Sequence, residues 1–136
     1  MKRTATAVWN GSGKEGNGNL TTQSTVLKNA QYSYSSRFEQ GIGTNPEELI
    51  AAAHSGCFTM KLAFVLNADG LTADTIETTS TVTLDAGVIT SSHLVVKASV
   101  AGVTEEQFQK CAEEAKINCP VSKALNIAIT MDATLI

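Results

Sequence analysis

The segment NPEELIAAAHSGCF, residues 45–58, carries a thiol, an imidazole and two carboxylates on an otherwise apolar stretch. A cysteine there is either an inert core residue or a nucleophile whose thiolate is stabilised by a neighbour. Cys57 lies more than three helical turns from the start of the segment, too far for the helix dipole to lower its pKa. His54, one turn earlier, can pair with the thiol, although a lone helical histidine is more often a packed or hydrogen-bonded residue.

Two other parts of the chain offer groups that bear on a reactive thiol. Cys119 directly precedes Pro120, so we expect it at or near a helix N-terminus with access to solvent. Arg37 lies a short loop ahead of the apolar segment and can supply the positive charge that a thiolate needs. Cys111 is the remaining cysteine and is expected to be structural. Three cysteines without a CxxC pair indicate thiols rather than disulfide staples.

The apolar segment begins with the signals of a long helix. Asn45 can cap it, Pro46 suits the first helical position, and Glu48 can complete a capping box. Glu48 therefore has a structural role, and Glu47 complements the helix dipole. Gly70 supplies the stop. The predicted helix of about 24 residues would be about 36 Å long, which makes it the central element of the fold.

The remaining pattern predicts strands grouped around helices. Alternation up to residue 38 indicates a three-stranded antiparallel meander, with AQYSYSSRF as its third strand. A second hairpin turns at Ala86-Gly87, Thr104 opens a second long helix, Pro120 starts a short turn or helix, and IAITMDATLI closes the chain as a strand. The order β-β-β-α-β-β-α-β predicts an α+β fold with antiparallel sheets around helices.

The glycine-rich stretch GSGKEG, residues 11–16, resembles a phosphate-binding loop only superficially. A P-loop requires Ser or Thr after the lysine, whereas Glu15 follows Lys14 here. A dinucleotide-binding loop would open a helix, whereas β-type sequence follows. We therefore expect a hairpin loop.

Length and charge exclude several classes of protein. The 136 residues predict a single domain over 1–136, and a net charge of -3 with a pI near 5.3 gives no basic surface for nucleic acid. No apolar leader follows the N-terminus, and polar residues interrupt Leu49 to Leu66, so we expect a cytoplasmic protein without a membrane span. His54 and Cys57 lack a second ligand pair, so no metal is expected.

Two separated segments, RFEQGIGTNPEELIAAAHSGCFTMKL and INCPVSKAL, resemble the OsmC/Ohr group of osmotically inducible and organic-hydroperoxide-resistance proteins. Compatible length and element order extend the resemblance over essentially the whole chain. The position of Arg37, directly ahead of FE and ten residues before Glu47, resembles the OsmC branch of this group more than the Ohr branch. Gly56 in place of the usual alanine and Lys61 in a normally more apolar part of the helix are departures that bear on substrate preference, not on chemistry.

The resemblance implies a thiol-dependent peroxidase for organic hydroperoxides and hydrogen peroxide, in an intertwined homodimer of α+β fold. By resemblance Cys57 is the peroxidatic cysteine and Cys119 resolves its sulfenate as an intrasubunit disulfide. Arg37 and Glu47 are then the pair that holds and activates the thiolate.

The same resemblance implies how substrate and reductant are used. Phe58, Met60 and Phe64 would give apolar walls for an organic tail, and an external dithiol, often on a lipoylated protein, would restore both thiols without a bound cofactor. The alternative is a non-enzymatic module of this fold that senses redox state or binds small apolar ligands.

The spacing of Glu47 and Cys57 adds a prediction about assembly. Ten residues of continuous helix are about 15 Å of rise, so either the helix breaks or the acid comes from another chain. Two antiparallel helices crossing on a two-fold axis near Ala52 would bring the acid of one chain to the thiol of the other. The three alanines at 51–53 would permit close approach, although helix propensity alone also explains them.

Overall fold

The computed structural model describes residues Met1 to Ile136 and has the α+β composition that the sequence predicts. The chain forms two compact units, Met1–Leu49 and Ile50–Ile136. A long helix begins in the first unit and continues into the second. The single domain over residues 1–136 stays a prediction.

The first unit is a three-stranded antiparallel meander followed by a short helix. Its elements are β1 (Ala5–Asn10), β2 (Asn17–Thr22), β3 (Ala30–Ser33) and α1 (Tyr34–Phe38). Residues 11–16 form the hairpin loop between β1 and β2, as expected. Gly18 on β2 must lack a side chain, because a Cβ atom there would lie 2.5 Å from the Tyr32 ring and 2.6 Å from the Val8 carbonyl oxygen.

Helix α1 corrects the prediction that AQYSYSSRF is one strand. The strand ends at Ser33, which caps α1: its hydroxyl accepts from the Ser36 N–H at 3.1 Å, and the Ser36 hydroxyl accepts from the Ser33 N–H at 2.8 Å. Serine in both capping-box positions makes a weaker sequence signal than the usual pairing with Glu or Gln. The last turn of α1 presents Arg37.

Helix α2 spans Pro46–Ala68, and the predicted start and stop signals are confirmed. The Asn45 side chain accepts from the Glu48 N–H at 2.8 Å. At the other end Gly70 has φ +74°, and the Leu71 N–H donates to the Leu66 carbonyl. By length and composition α2 could cross a membrane, but its buried residues belong to a protein core.

The second unit adds a second sheet and two more helices. After α2 come β4 (Ala73–Asp85), β5 (Val88–Val100), α3 (Glu105–Asn118), α4 (Pro120–Ala124) and β6 (Ala128–Leu135). The β4–β5 hairpin turns at Ala86-Gly87, both with positive φ, as expected for a tight hairpin turn. Thr104 caps α3 by accepting from the Gln107 N–H at 3.2 Å.

The last strand is not antiparallel, which corrects the prediction of purely antiparallel sheets. The second sheet has the order β4-β5-β6, and β6 pairs with β5 in parallel. The cause is the connection, because α3 and α4 return the chain to the end of the sheet at which β5 began, and a helical crossover joins parallel strands.

The core of the second unit joins one face of α2 to β5 and α3. Its buried members are Phe58, Leu62, Val65, Leu66, Leu94, Val96, Ala98, Phe108, Cys111, Ala112, Ala115 and Cys119. Phe58 is fully buried in this cluster, so its predicted place in a substrate-facing wall is wrong. Met60 and Phe64 are exposed on the opposite face of α2.

Candidate active site

The two predicted reactive thiols lie next to each other in the second unit. Cys57 is half-buried on α2, and Cys119 ends α3 and begins α4. Both are free thiols close enough to affect each other's titration. Two adjacent free thiols can form a disulfide once one of them is oxidised.

Burial decides the protonation of Cys57. Burial in the chain raises the pKa of the Cys57 thiol, the Val121 N–H opposes that rise, and the adjacent Cys119 raises the pKa further. Cys57 therefore stays a thiol at neutral pH in the single chain. The groups that affect this pKa are the Val121 N–H and Cys119, and no cationic side chain is among them.

Cys119 titrates in the opposite direction. Burial raises the pKa of Cys119, but the N–H groups of Ser122 and Val121, the Ser122 hydroxyl and the Cys57 thiol together lower it below its usual range. The predicted access of Cys119 to solvent is wrong, because this residue is completely buried. Its position between two helices packs the sulfur into the core, where the first N–H groups of α4 replace water as its polar neighbours.

Arg37 and Glu47 form a two-point ion pair within the first unit. Arg37 Nε lies 3.2 and 3.1 Å from the two carboxylate oxygens of Glu47, and Nη2 lies 2.6 Å from Oε1. The hydrogen bond from Arg37 lowers the pKa of Glu47, and the same contact raises the pKa of Arg37. The pair is fully charged at neutral pH and fixes the plane of the guanidinium.

A cavity of about 110 Å³ opens beside the guanidinium in the first unit. Aromatic rings dominate its lining, which includes Trp9, Tyr32, Tyr34, Arg37, Phe38 and Pro46. The Arg37 guanidinium also stacks 5.0 Å from the centre of the Phe38 ring. This arrangement places apolar surface directly against a fixed positive charge. No local sequence pattern predicts this cavity, because its rings come from β1, β3 and α1.

His54 does not pair with Cys57. Its ring is fully buried, with Nδ1 2.7 Å from the Ser92 hydroxyl and Nε2 2.9 Å from the Ser122 hydroxyl. Burial lowers the pKa of His54, so the imidazole is neutral at pH 7. The hydrogen-bonded alternative for this residue is therefore the correct one. Ser92 and Ser122 were missed, because serines 38 and 68 residues away carry no local signal.

Cys111 has the surroundings of a structural thiol. It is buried, and its sulfur lies 3.5 Å from the Asp69 carboxylate. Burial and the Asp69 carboxylate raise the pKa of Cys111, which keeps it protonated and unreactive. No cluster of three or more histidine, cysteine or acidic side chains suited to a metal ion occurs in the structure.

The fold and the paired thiols place the chain among α+β proteins that carry one thiol on a long central helix and a second thiol next to it at a junction of two further helices. The profile of the OsmC-like protein family matches residues 39–134, and the chain belongs to that family. The predicted family and α+β fold class are thereby confirmed.

Two curated relatives and one solved structure show the range of similarity. Peroxiredoxin OsmC of Escherichia coli (strain K12) is 43% identical over 133 residues, 95% of this chain and 93% of that protein. Organic hydroperoxide resistance protein-like 2 of Staphylococcus saprophyticus is 34% identical over 65% of each chain. The OsmC like protein from Mycoplasma pneumoniae has a TM-score of 0.78 and 13% identity over 100% of this chain and 98% of that one, which shows a shared fold.

Proposed function

We propose that this chain is a thiol-dependent peroxidase that reduces organic hydroperoxides and hydrogen peroxide. The observation that carries the proposal is the adjacency of the half-buried Cys57 thiol and the buried Cys119 thiol. Relatives named as a peroxiredoxin and as an organic hydroperoxide resistance protein support the same activity.

The reaction requires three steps. The Cys57 thiolate attacks one peroxide oxygen, the O–O bond breaks, and the departing alkoxide takes up a proton to become an alcohol. Cys57 is now a sulfenic acid. The Cys119 thiolate attacks the Cys57 sulfur, an S–S bond forms, and the departing hydroxide takes up a proton to become water. An external dithiol then reduces the disulfide and is itself oxidised.

Arg37 is the proposed cation for the first step. Its Nε and Nη2 edges are occupied by Glu47, whereas Nη1 makes no hydrogen bond within the chain. A guanidinium held from one side by a carboxylate can present its free N–H groups to a thiolate and to a peroxide oxygen. The aromatic cavity beside Arg37 would then take the organic group of the substrate. Glu47 is the proposed residue that orients the guanidinium.

The first unit also supplies an argument for a second copy of the chain. Between residues 1 and 49 only Gly18 and Ser36 are buried, and all six residues of β1 are exposed. A sheet that buries no apolar side chain lacks the main stabilising contribution to folding. We infer that a second copy covers this surface in a homodimer.

Helix α2 leaves an apolar stripe that fits the same assembly. Ala52, Gly56, Met60 and Phe64 recur every four residues, and all are exposed in the single chain. Of the most apolar 18-residue stretch of α2, 28% is buried. An exposed apolar helix face of this length is expected to pack against another apolar surface, and the same face of a second α2 provides such a surface.

The antiparallel crossing of two α2 helices near Ala52 gives each site groups from both chains. Residue 52 is midway between Glu47 and Cys57, so a two-fold axis there brings the Arg37–Glu47 pair of one copy toward Cys57 of the other. Ala52, Ala53 and Gly56 carry the small side chains that a close crossing requires. The proposed protein is a homodimer with two composite sites.

Dithiol consumption after addition of cumene hydroperoxide tests the activity. The purified chain should oxidise dihydrolipoamide catalytically, the Cys57→Ser variant should not, and the Cys111→Ser variant should match wild type. A wild-type protein that binds the hydroperoxide without oxidising the dithiol would support the non-enzymatic alternative and overturn the proposal.

The cellular setting belongs to the same proposal. We place the protein in the cytoplasm, without nucleic-acid or membrane partners and without a bound cofactor. A lipoylated protein is the proposed physiological reductant. Its two thiols lie on one group and form a cyclic disulfide on oxidation, which makes such a dithiol an efficient reductant of protein disulfides.

A further inference from the structure

A chain of hydrogen-bonded polar side chains runs through the second unit to the neighbourhood of Cys119. The Ser80 hydroxyl lies 3.0 Å from that of Ser92, which lies 2.7 Å from His54 Nδ1, and His54 Nε2 lies 2.9 Å from the Ser122 hydroxyl. His54 and Ser92 have no exposed surface, and Ser122 is 9% exposed. Buried polar groups are costly unless every one is satisfied, so a complete chain of this length needs a reason.

Helix α4 brings Ser122, the last member of this series of hydrogen bonds, close to Cys119 in the sequence of the helix. Cys119 is the N-cap of α4 and Ser122 is its third residue, the position whose N–H and side chain turn back toward the cap. The Cys119 side chain makes no capping hydrogen bond in α4. The backbone N–H and the hydroxyl of Ser122 are nevertheless close enough to lower the pKa of the Cys119 thiol.

The direction of proton donation follows from the valence of each group. A Ser122 hydroxyl that donates to the Cys119 sulfur must accept its own hydrogen bond from His54 Nε2–H. The neutral imidazole has one N–H, so Nδ1 is then an acceptor and takes the proton of Ser92. Ser92 in turn accepts from Ser80. One arrangement of hydrogens thus directs every donor in the chain toward Cys119.

We propose that Ser122 holds Cys119 ready as the attacking thiolate and that His54 is a positioning residue, which fixes the Ser122 hydroxyl as a donor to sulfur. The inference rests on the proposed peroxidase function and concerns its second step. There Cys119 forms the S–S bond, and hydroxide leaves the Cys57 sulfur. Without the donor, less Cys119 is thiolate and resolution slows, whereas the first attack by Cys57 is not slowed, because a protonated Cys119 no longer repels the Cys57 thiolate.

Single-turnover kinetics separate the two steps. Reduced protein is mixed with one equivalent of cumene hydroperoxide and no reductant; Cys57 sulfenate is trapped chemically, and the Cys57–Cys119 disulfide is quantified by mass after quenching. Cys57 and, through Ser122, His54 are the titratable groups that face Cys119, so the measurement is repeated across pH. Ser122→Ala and His54→Leu should form sulfenate no more slowly than wild type and form the disulfide about tenfold more slowly.

Conservative variants distinguish positioning from simple structural support. His54→Gln keeps an N–H donor for Ser122, and Ser122→Thr keeps the hydroxyl, so both should recover disulfide formation. In Ser122→Ala and His54→Leu the pH midpoint of Cys119 alkylation should rise. His93→Gln removes an exposed imidazole and should change neither step.

Each other result has a defined meaning. Disulfide formation at the wild-type rate in Ser122→Ala would overturn the inference, as would slow formation with an unchanged alkylation midpoint and no recovery in His54→Gln. If His54→Leu does not fold, Ser122→Ala and Ser122→Thr decide by the same criteria. A wild-type protein that forms no sulfenate would overturn the proposed function instead.

Discussion

Glu47 and Cys57 lie on one unbroken helix, ten residues apart, which is about 15 Å along the axis of α2. The sequence left two alternatives, a broken helix or an acid from another chain, and the continuity of α2 removes the first. Glu47 holds Arg37 in the first unit, and the Cys57 thiol has a raised pKa without a cation of its own unit. These facts together make a second copy the proposed source of the activating charge.

Replacement of each of the two proposed reactive cysteines by serine should block the reaction at a different step. Cys57→Ser should abolish both turnover and sulfenate formation. Cys119→Ser should reduce one equivalent of hydroperoxide and stop with an oxidised Cys57 that excess peroxide carries on to sulfinic acid. Mass spectrometry of the quenched protein distinguishes the states. Catalytic turnover by Cys57→Ser would contradict the assignment, and Cys111→Ser is the matched control with wild-type behaviour.

Arg37 should set the pKa of Cys57 without setting the stability of the fold. In a Cys111→Ser, Cys119→Ser background, thiolate absorbance against pH reports Cys57 alone. Arg37→Ala should move this titration to higher pH and slow peroxide attack about a hundredfold, because an opposite charge lowers a thiol pKa by one to three units. Arg37→Lys keeps the charge but loses the two-point contact to Glu47. Its Cys57 pKa and its rate of peroxide attack should lie between those of wild type and Arg37→Ala. Superimposable curves for wild type and Arg37→Ala would rule out this role.

Glu47 acts through Arg37, so its removal should have the smaller effect. Glu47→Gln keeps the shape of the side chain and loses the charge that orients the guanidinium. We expect slower sulfenate formation and a melting temperature close to wild type, because an ion pair with an exposed arginine contributes little to stability. Glu48→Gln is the control: the Glu48 carboxylate accepts from the Thr44 hydroxyl and the Asn45 side-chain amide at the start of the same helix, so the loss of its charge should lower stability slightly but leave the Cys57 titration unchanged.

His54 should make stability depend on pH in a defined window. Burial lowers its pKa in the folded chain below the ordinary value of 6.5, so the unfolded chain binds a proton that the folded chain does not. Stability is complete above pH 6.5 and falls as pH drops toward the folded pKa, by at most about 1.4 kcal/mol per pH unit. Urea unfolding between pH 7.5 and 5 should show this slope in wild type and His93→Gln and a flatter one in His54→Gln. Equal slopes in all three would contradict the buried, neutral state.

A bulky residue at the proposed crossing should weaken dimer and activity together. Ala52→Trp inserts an indole where two helices approach closely, whereas Glu106→Trp adds the same ring to the exposed face of α3. Sedimentation should show dissociation of Ala52→Trp at micromolar concentration with parallel loss of peroxidase activity. A monomeric Ala52→Trp protein with full activity would exclude composite sites.

The parts of the fold that the sequence predicted are those specified by local chemistry. The cap at Asn45 and the glycine stop at Gly70 define α2, and the turn at Ala86-Gly87 defines the β4–β5 hairpin. Each signal acts within a few residues, where spacing alone determines which groups meet. Alternation predicted the strands for the same reason.

The features that the sequence missed depend on groups far apart in the chain. The parallel direction of β6 follows from the route of α3 and α4, and the burial of Cys119 follows from packing between them. His54 finds its serine partners on β5 and α4, which no local pattern connects. The roles of Cys57, Cys119, Arg37 and Glu47 stay predictions.

A hybrid dimer tests the composite site most directly. Cys57→Ser and Arg37→Ala chains with different affinity tags are co-expressed, and dimers carrying both tags are purified. In the hybrid, one site combines an intact Cys57 with an intact Arg37 from the other chain, so we predict about half of the wild-type peroxidase activity per dimer, although both parent dimers are nearly inactive. A hybrid no more active than the mean of its two parents would contradict the account.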